Sequence, residues 1–376
     1  MITSKRIDSP PDESASDKFR AVIVCWVACI LLAIAACGGG HSSSTPATRT
    51  WQLGFSPVPP RPTTAAVLQG IDLWSQRAEI AAIHEELPWT DLLGGVLTPD
   101  DILDRDKIQL VDYLRGKGLK LYFMGELTDG LSRGEEAPQL RALGRSIKEP
   151  AVQQAYRAYM LAVARKLHPE IIGLVAETNL IRAAATDPLL YPAVVQAANA
   201  AATDLRAAGN AATLLHSVQV ETAWGRLNPA SPAYLGVEQD FADFPFAQML
   251  GLSSYPYFGF AQPEDIPANY YSRLLNGRSM STMVVEGGWT SAAAGTIKSS
   301  PQIQARYIAR QAQLLDTVGA RGLIQLLFAD IDLATFPQPY PPNLPLFINI
   351  GLTESNFVAK PALAAWDALH ARRLAP

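Results

Sequence analysis

The chain has 376 residues, of which 48% are hydrophobic and 18% charged, and its formal net charge at pH 7 is −4. This is the composition of a globular protein with enough apolar material for a large core, which excludes extended disorder as its main state. The charge is small and no basic tract occurs, so nucleic acid is not expected as a partner.

The N-terminus has the pattern of an export signal. Lys18 and Arg20 precede an apolar run over residues 21–36 that is too short for a comfortable membrane span. The run ends in Ile-Ala-Ala-Cys, which resembles the bacterial lipoprotein signal, so residues 1–36 are predicted to be removed and Cys37 to carry the lipid. An uncleaved N-terminal anchor helix is the alternative, and either arrangement attaches the protein to a membrane.

The domain organisation follows from this signal. Residues 37–50 are rich in glycine and serine and are predicted to be a flexible linker, and residues 51–376 to be one folded domain. We expect a location in the cell envelope, at the outer membrane or cell surface rather than the inner membrane. All three cysteines, Cys25, Cys29 and Cys37, precede the domain, so neither a disulfide nor a cysteine metal site is expected in it.

From Trp51 onward, short apolar runs alternate with segments of helical periodicity, which is typical of a parallel α/β sheet. Eight strands are predicted, over residues 51–55, 78–84, 119–125, 171–177, 213–220, 249–255, 283–286 and 322–328. The clearest helices are predicted over residues 106–118, 149–167, 191–209 and 300–320. Because no glycine-rich nucleotide-binding turn occurs, a single-domain (β/α)8 TIM barrel is favoured, with a doubly wound open sheet as the alternative.

Two glutamates end predicted strands on opposite sides of such a barrel. Glu177 ends the fourth strand and Glu286 the seventh. Chemistry in βα barrels collects at the carboxyl-terminal ends of the strands, and cleavage of a glycosidic bond needs two carboxyl groups. Either glutamate taken alone could instead be a charge in the first turn of a following helix.

Four stretches carry a resemblance to a known superfamily. In chain order they are GLVAETN, LGLSSYPYFG, VVEGGW and GLTESNFVAKPALAAW. Together they resemble the glycoside hydrolases of clan A, the TIM barrels with catalytic glutamates on strands four and seven, and most closely the endo-β-1,4-galactanase-like members.

The resemblance implies a retaining hydrolase of β-linked polysaccharide or oligosaccharide. In it Glu177 is the acid/base, Glu286 is the nucleophile, and Tyr255 or Tyr257 supplies a hydroxyl that orients the nucleophile. The resemblance implies no metal and no organic cofactor. A carbohydrate is the expected partner, and the protein is expected to be a monomer.

The sequence also departs from the clan. The asparagine usual before the acid/base is replaced by Ala176, the nearest amide is Asn179, and the eighth strand lacks the common tryptophan platform. These departures leave open a second hypothesis, a non-catalytic glycan-binding surface lipoprotein with a degenerate barrel.

Aromatic residues after the strands are candidate sugar platforms. Trp89, Trp224 and Trp289 each follow a predicted strand and could stack on a pyranose ring, although core packing explains any one of them equally well. Trp289 is the best candidate because Gly287 and Gly288 before it would let the backbone approach a ligand.

Other polar residues have less specific interpretations. His84 and His216 lack a second histidine at metal-ligand spacing, so we expect a sugar contact or a structural hydrogen bond, with His84 kept as a candidate sugar contact. Ser253 and Ser254 do not form the Gly-x-Ser-x-Gly motif of a serine hydrolase. Four acids at the barrel end could line the groove or be solvated, namely Glu126, Asp129, Asp330 and Asp332.

Overall fold

The computed structural model describes residues 48–227 and 233–375. The predicted signal and the lipid attachment at Cys37 lie outside these residues. Within them, every helix is too short or too polar to cross a membrane.

Eight parallel strands form a closed barrel in which each strand pairs with the next along the chain and the last pairs with the first. The strands are β1 Gln52–Phe55, β2 Ile80–Glu86, β3 Lys120–Glu126, β4 Ile171–Gly173, β5 Thr213–Gln219, β6 Met249–Ser254, β7 Ser281–Gly287 and β8 Ala320–Gln325. The prediction of a (β/α)8 TIM barrel is confirmed, and the open-sheet alternative is wrong because β8 closes onto β1.

Helices fill the connections between strands. The α-helices of the described residues are α1 Thr64–Trp74, α2 Trp89–Gly94, α3 Pro99–Asp106, α4 Ile108–Gly116, α5 Pro138–Ala142, α6 Pro150–Leu167, α7 Thr178–Ala184, α8 Leu190–Ala207, α9 Val220–Ala223, α10 Glu238–Asp243, α11 Ser272–Leu275, α12 Pro301–Leu315 and α13 Pro361–His370. Short 3₁₀ helices cover Ser75–Arg77, Pro256–Phe258, Pro263–Asp265, Leu333–Thr335 and Leu344–Leu346. The four helices predicted from periodicity correspond to α4, α6, α8 and α12.

Helix starts follow ordinary capping chemistry. The Ser300 hydroxyl accepts a hydrogen bond from the Ile303 N–H, and Pro301 occupies the first turn of α12, where its missing N–H costs nothing. Thr98 and Asp101 form a reciprocal capping box at the start of α3.

The core has two parts that follow from the alternation of side chains along each strand. In β2, Ile80 and Ala82 face the barrel interior, whereas Ala81 and Ile83 belong to the larger cluster between the barrel and the helices. The inward series continues to His84 at the carboxyl-terminal end of β2. Alternation along the strands therefore places polar side chains at that end, above an apolar barrel interior.

The fourth strand is shorter than predicted. Its ladder ends at Gly173, and the chain then runs beside β5 through separate hydrogen bonds from Leu174 to Leu215 and from Ser217 to Val175. Glu177 is therefore not the last residue of a strand. It precedes α7 with φ 52° and ψ 49°, a left-handed conformation that costs a non-glycine residue about 1–2 kcal/mol.

Candidate active site

A closed ring of polar side chains lies at the carboxyl-terminal end of the barrel. Taken in order of contact, its members are Glu286, His84, Glu126, Arg133, Glu177 and Ser253. We call this set the charged ring. Every member comes from a strand end or from the loop or turn directly after a strand, which is where a βα barrel collects its chemistry.

One serine hydroxyl joins the two glutamates that the sequence singled out. Ser253 Oγ lies 2.5 Å from Glu177 Oε1 and 2.6 Å from Glu286 Oε1. These two carboxylate oxygens therefore cannot be further apart than about 5.1 Å, the sum of the two contacts. Because a hydroxyl carries one hydrogen, both contacts can be hydrogen bonds only when one of the carboxyl groups is protonated.

Arg133 joins Glu177 to Glu126. Its Nε lies 2.7 Å from Glu177 Oε2 and its Nη2 lies 2.8 Å from Glu126 Oε1, and the arginine side chain is only 4% exposed. A guanidinium keeps its charge in such a place, so it supplies a fixed positive charge between two buried carboxyl groups.

His84 closes the ring. Its Nδ1 lies 3.0 Å from Glu286 Oε2, and its Nε2 lies 2.7 Å from Glu126 Oε1 without the alignment of a good hydrogen bond. Burial acts to lower the pKa of His84, but the negative charges of Glu126 and Glu286 outweigh it and raise the pKa to about 10. The imidazole is therefore positively charged at neutral pH.

The two candidate catalytic glutamates differ in proton affinity. Burial raises the pKa of Glu177, and the charge of Glu286 adds to that effect against the opposing charge of Arg133. Burial also acts on Glu286, but His84, with help from Arg133 and Ser253, outweighs it and lowers the pKa of Glu286. Glu177 therefore binds a proton more readily than Glu286 does.

With Glu177 protonated, the charged ring is electrically neutral. Burial acts to raise the pKa of Glu126, but the positive charges of Arg133 and His84 outweigh it and hold that pKa far below its ordinary value. Ionised Glu126 and Glu286 then balance Arg133 and His84, and Glu177 carries its proton. A buried set of charges is tolerable in this form because each charge has an opposite partner.

A bulge in β7 turns Glu286 into the barrel. Met283 and Val285 face the interior and Val284 faces outward, so simple alternation would send Glu286 outward. Leu252 pairs with Val284 but Ser253 pairs with Glu286, which leaves Val285 as an extra residue. The extra residue re-aims the carboxylate, a known use of bulges beside active sites.

Hydrogen bonds fix the left-handed backbone at Glu177. The Glu177 N–H donates to Ser217 Oγ at 2.9 Å, and the hydroxyl of Thr178 donates to Asp240 Oδ1 at 2.7 Å. Asp240 in turn pairs with Arg182 of α7 at 2.9 Å. A strained residue held in this way is characteristic of functional sites.

A cavity of about 610 Å³ opens above the charged ring. His84, Glu126, Arg133, Glu177 and Glu286 all line it, and so does Tyr255, whose side chain is 5% exposed. The structure thus brings together three of the residues singled out for a site, Glu177, Glu286 and His84, with one of the two candidate tyrosines.

The expected tryptophan platforms do not lie at this cavity. Trp89, Trp289 and Trp224 are 0%, 1% and 7% exposed, and all three belong to the packed core around the barrel. The indole N–H of Trp289 donates to Ser299 Oγ and that of Trp224 to the Tyr270 carbonyl. Stacking on a sugar is a wrong expectation for these residues because their faces are already covered by protein.

The two glycines before Trp289 are also needed for a reason other than the predicted approach of a ligand. A Cβ on Gly287 would lie 2.4 Å from the Ser254 carbonyl oxygen, and one on Gly288 would lie 2.8 Å from the amide nitrogen of Gln325. Close approach of the β6 backbone and of a β8 side chain, rather than of a ligand, excludes larger residues there.

Two further candidate sugar contacts, Tyr257 and Asn179, instead form hydrogen bonds with the protein backbone. The Tyr257 hydroxyl donates to the Leu346 carbonyl at 3.1 Å. Asn179 uses both ends of its amide on the backbone of Gln219, at 2.9 and 2.8 Å. Neither side chain lines the cavity, so the expectation of a sugar contact is corrected for both.

The other acids at the barrel end have separate roles. Glu126 is a member of the charged ring, whereas Asp129 pairs with Arg141, Asp330 with Lys360 and Asp332 with Arg61. His216 is fully buried and its ring lies against Phe244. In the part of the chain that the structure describes, no group of three or more His, Cys, Asp or Glu side chains is placed to hold a metal ion.

Arg133 and the bridging role of Ser253 were not predicted from the sequence. Arg133 lies in an irregular loop after β3, between residues with no periodic pattern, so its burial between two acids has no local signature. Ser253 had one available signal, because it is the last inward-facing position of β6, next to the predicted strand that carries Glu286.

No protein-family model and no curated protein sequence matches the chain. Several solved structures, in contrast, are similar to it. A GH5_18 protein from Bifidobacterium longum subsp. longum is 13% identical with a TM-score of 0.63, over 87% of this chain and 82% of that one. An exo-β-1,4-mannosidase from Opitutaceae bacterium strain TAV5 is 17% identical with a TM-score of 0.62, over 86% of this chain and 60% of that one.

A third similar structure is the GH53 catalytic domain of Ignisphaera aggregans, 15% identical with a TM-score of 0.54, over 80% of this chain and 88% of that one. The chain spans only 60% of the mannosidase, so that enzyme has regions without a counterpart here. At these identities the likeness shows the fold: the chain shares its barrel with proteins named as GH5 and GH53 members.

Proposed function

We propose that the protein is a retaining glycoside hydrolase of clan A type that cleaves β-linked sugars, with Glu177 as acid/base and Glu286 as nucleophile. The observation that carries the proposal is the bridge through Ser253, which limits the nearest oxygens of the two carboxyl groups to about 5.1 Å. Retaining enzymes hold these groups about 5–5.5 Å apart, whereas inverting enzymes need about 6.5–9.5 Å to admit a water molecule.

The opposite pKa shifts of the two glutamates suit the two steps of this reaction. In the first step Glu177 gives its proton to the leaving oxygen as the glycosidic bond breaks, and ionised Glu286 forms a bond to the anomeric carbon. In the second step Glu177, now ionised, takes a proton from water. The water oxygen then attacks the anomeric carbon and releases Glu286.

The other members of the charged ring support these roles. Positively charged His84 keeps Glu286 ionised, and Arg133 holds Glu177 in position while limiting the rise of its pKa. Tyr255 lines the cavity beside both acids and is the strand-six tyrosine that we assign to orienting the nucleophile and substrate.

The identity of the sugar in the substrate is a more specific part of the proposal. The VVEGGW and LGLSSYPYFG stretches favour a galactanase-like preference for β-linked galactose, and the similarity to a structure named exo-β-1,4-mannosidase adds β-mannosides to the substrates to be tried. A panel of β-galactans, β-mannans, β-glucans and their oligosaccharides tests both.

Glutamine substitutions at the two acids test the proposal. Glu177→Gln and Glu286→Gln should each lower kcat on the best substrate by at least about 10²-fold, because acid/base help is worth about 10²–10⁴-fold. In the wild type, the acid limb of the kcat/KM profile should lie below pH 4.5, the ordinary glutamate value, and the alkaline limb above it. With an aryl glycoside, whose leaving group needs no proton, Glu177→Gln should lose the alkaline limb.

A non-catalytic glycan-binding protein remains the competing proposal. It is motivated by Ala176, which lies in the barrel interior where the clan has asparagine, and by Asn179, whose amide is engaged elsewhere. Saturable binding of a glycan without new reducing ends, unchanged by both glutamine substitutions, would favour it over hydrolysis.

We also propose that the protein is exported and attached to the bacterial cell envelope through lipid on Cys37. The Ile-Ala-Ala-Cys sequence after the apolar run supports this proposal. Cys37→Ala should remove incorporation of labelled fatty acid and release the protein from the membrane fraction. Retention of both label and membrane association would contradict it.

A further inference from the structure

The walls of the cavity differ in chemistry from its floor. The floor is the charged ring, whereas more than half of all the lining residues are aliphatic or phenylalanine. Six of the wall residues are Val58, Leu131, Leu180, Leu227, Ile331 and Leu346. They come from the connections after five different strands, β1, β3, β4, β5 and β8, so the apolar character belongs to the whole wall.

Part of this wall is open to water. Val58 is 38% exposed and Leu227 is 41% exposed at the edge of the cavity. Large apolar side chains that converge from separate loops on one concave surface and stay partly exposed are characteristic of a site for an apolar ligand.

The wall offers little to a polysaccharide. Six tryptophans lie in the described residues and all are at most 7% exposed, so none provides a free face for a sugar ring. Beyond the charged ring and Tyr255, the polar side chains that line the cavity are those of Ser56, Gln219 and Asn343. Sugar hydroxyls buried against aliphatic side chains would lose hydrogen bonds to water without replacement, which is costly.

An apolar chain suits this wall better than a sugar does. It needs no hydrogen-bond partners, and burying it against leucine and valine is favourable in proportion to the area removed from water. A molecule that fits both parts of the cavity therefore has one sugar for the charged floor and an apolar group for the wall.

We propose that the substrate is an amphiphilic β-glycoside, in which the sugar binds at the charged ring and an alkyl or lipid leaving group lies along the apolar wall. The inference rests on the proposed function, since it takes the charged ring as the place where the glycosidic bond is broken. In such a substrate the leaving group is a hydrocarbon chain instead of a second sugar.

Binding of thioglycosides tests the wall separately from catalysis, because a sulfur-linked sugar resists cleavage. The probes are octyl and methyl 1-thio-β-D-galactoside, -mannoside and -glucoside, each titrated calorimetrically into the full-length protein below the critical micelle concentration. Burial of one methylene is worth about fourfold in affinity. We expect at least one octyl probe to bind tenfold or more tightly than its methyl counterpart.

Variants locate the effect. Val58→Asn/Leu227→Asn changes two side chains that are already partly exposed, so folding is preserved, and it should remove most of the octyl preference. Leu189→Asn is the matched control, because Leu189 is 62% exposed and does not line the cavity. Its octyl preference should equal that of the wild type.

Equal binding of octyl and methyl probes in all three sugar series would overturn the inference. So would an octyl preference that survives in Val58→Asn/Leu227→Asn, since the chain would then bind elsewhere. Hydrolysis of the matching oxygen-linked glycosides is measured in parallel. Cleavage that is indifferent to chain length refutes the inference alone, whereas octyl preference in binding without any cleavage refutes the proposed function and leaves the wall as a binding site for the alkyl group only.

Discussion

Ser253 is the residue on which the geometry of the two acids depends most directly. It contacts both carboxyl groups, but its one hydrogen bonds to a single ionised carboxylate at a time, and with Glu177 protonated that acceptor is Glu286, whose pKa the bond helps to lower. Without the hydroxyl Glu286 would lose a donor that favours its ionised form, and it would hold a proton more tightly.

We predict that Ser253→Ala moves the acid limb of the pH profile of kcat/KM, which reports Glu286, to higher pH and lowers kcat about tenfold or more. The shift follows from loss of a hydrogen bond that favours the ionised form of Glu286. Profiles measured on one substrate for the wild type and the variant check this.

Ser254→Ala is the matched control for Ser253→Ala. The Ser254 hydroxyl contacts Tyr271 and Glu221 and touches neither catalytic candidate. Its pH limbs should stay in place. Equal shifts in the two variants would show that the effect is a general disturbance of β6 and not loss of the bridge.

At the scale of elements, the junction of β6 and β7 determines where the nucleophile points. The bulge at Val285 turns Glu286 inward, and Gly287 directly after it lies against the β6 backbone. The two features act together, because a side chain at Gly287 would push apart the strands that the bulge aligns.

Gly287→Ala should therefore lower the free energy of unfolding by about 1–3 kcal/mol, the usual cost of overpacking a tight interior. The added Cβ would lie 2.4 Å from the Ser254 carbonyl oxygen, which belongs to the backbone and cannot rotate away. Denaturant unfolding measures the change, and kcat should fall with it because Glu286 moves.

Gly116→Ala serves as the control. Gly116 lies in α4 with no atom near the site of an added Cβ, so alanine should leave stability unchanged or raise it by up to about 1 kcal/mol. A loss of stability as large as that of Gly287→Ala would contradict the assignment of close strand packing as the cause.

The elements of this fold were accessible from sequence because buried parallel strands and amphipathic helices have distinct periods. All eight predicted strands overlap observed ones. The main error was at β4, where the apolar run continues to Ala176 after the ladder ends at Gly173, because those residues still pack in the interior but keep only separate hydrogen bonds to β5. Composition cannot distinguish these two kinds of burial.

At the scale of the whole molecule, a buried acid outside the charged ring links stability to pH. Glu221 is fully buried and accepts hydrogen bonds from the Tyr270 hydroxyl at 2.7 Å and the Tyr255 N–H at 3.1 Å. Burial outweighs these bonds and raises the pKa of Glu221 from the ordinary 4.5 to about 7.

The folded protein therefore binds this proton more tightly than the unfolded chain does. Its stabilising effect is complete below pH 4.5 and is lost as pH rises toward 7. Relative to Glu221→Gln, which cannot titrate, the wild type should lose about 1–3 kcal/mol of unfolding free energy between these two pH values. Urea unfolding of both proteins at a series of pH values measures this, and a constant difference would contradict it.

The site was only partly predictable, for reasons that also apply to the whole molecule. Glu177 and Glu286 stood out because each follows an apolar run, which is a local signal. Arg133 did not, because its importance lies in contacts with residues far away along the chain. The tryptophan platforms were wrong because a tryptophan after a strand can equally face the outer helices, and only the folded packing decides between the two.

Covalent labelling tests the central claim most directly. A cyclitol epoxide or aziridine that mimics a β-glycoside traps the nucleophile of a retaining glycosidase, so probes of galacto, manno and gluco configuration should include one that labels the protein. Peptide mass spectrometry should then locate the label on Glu286 in the wild type and find none in Glu286→Gln. Absence of labelling by all three probes, or a label on any other residue, would contradict the account.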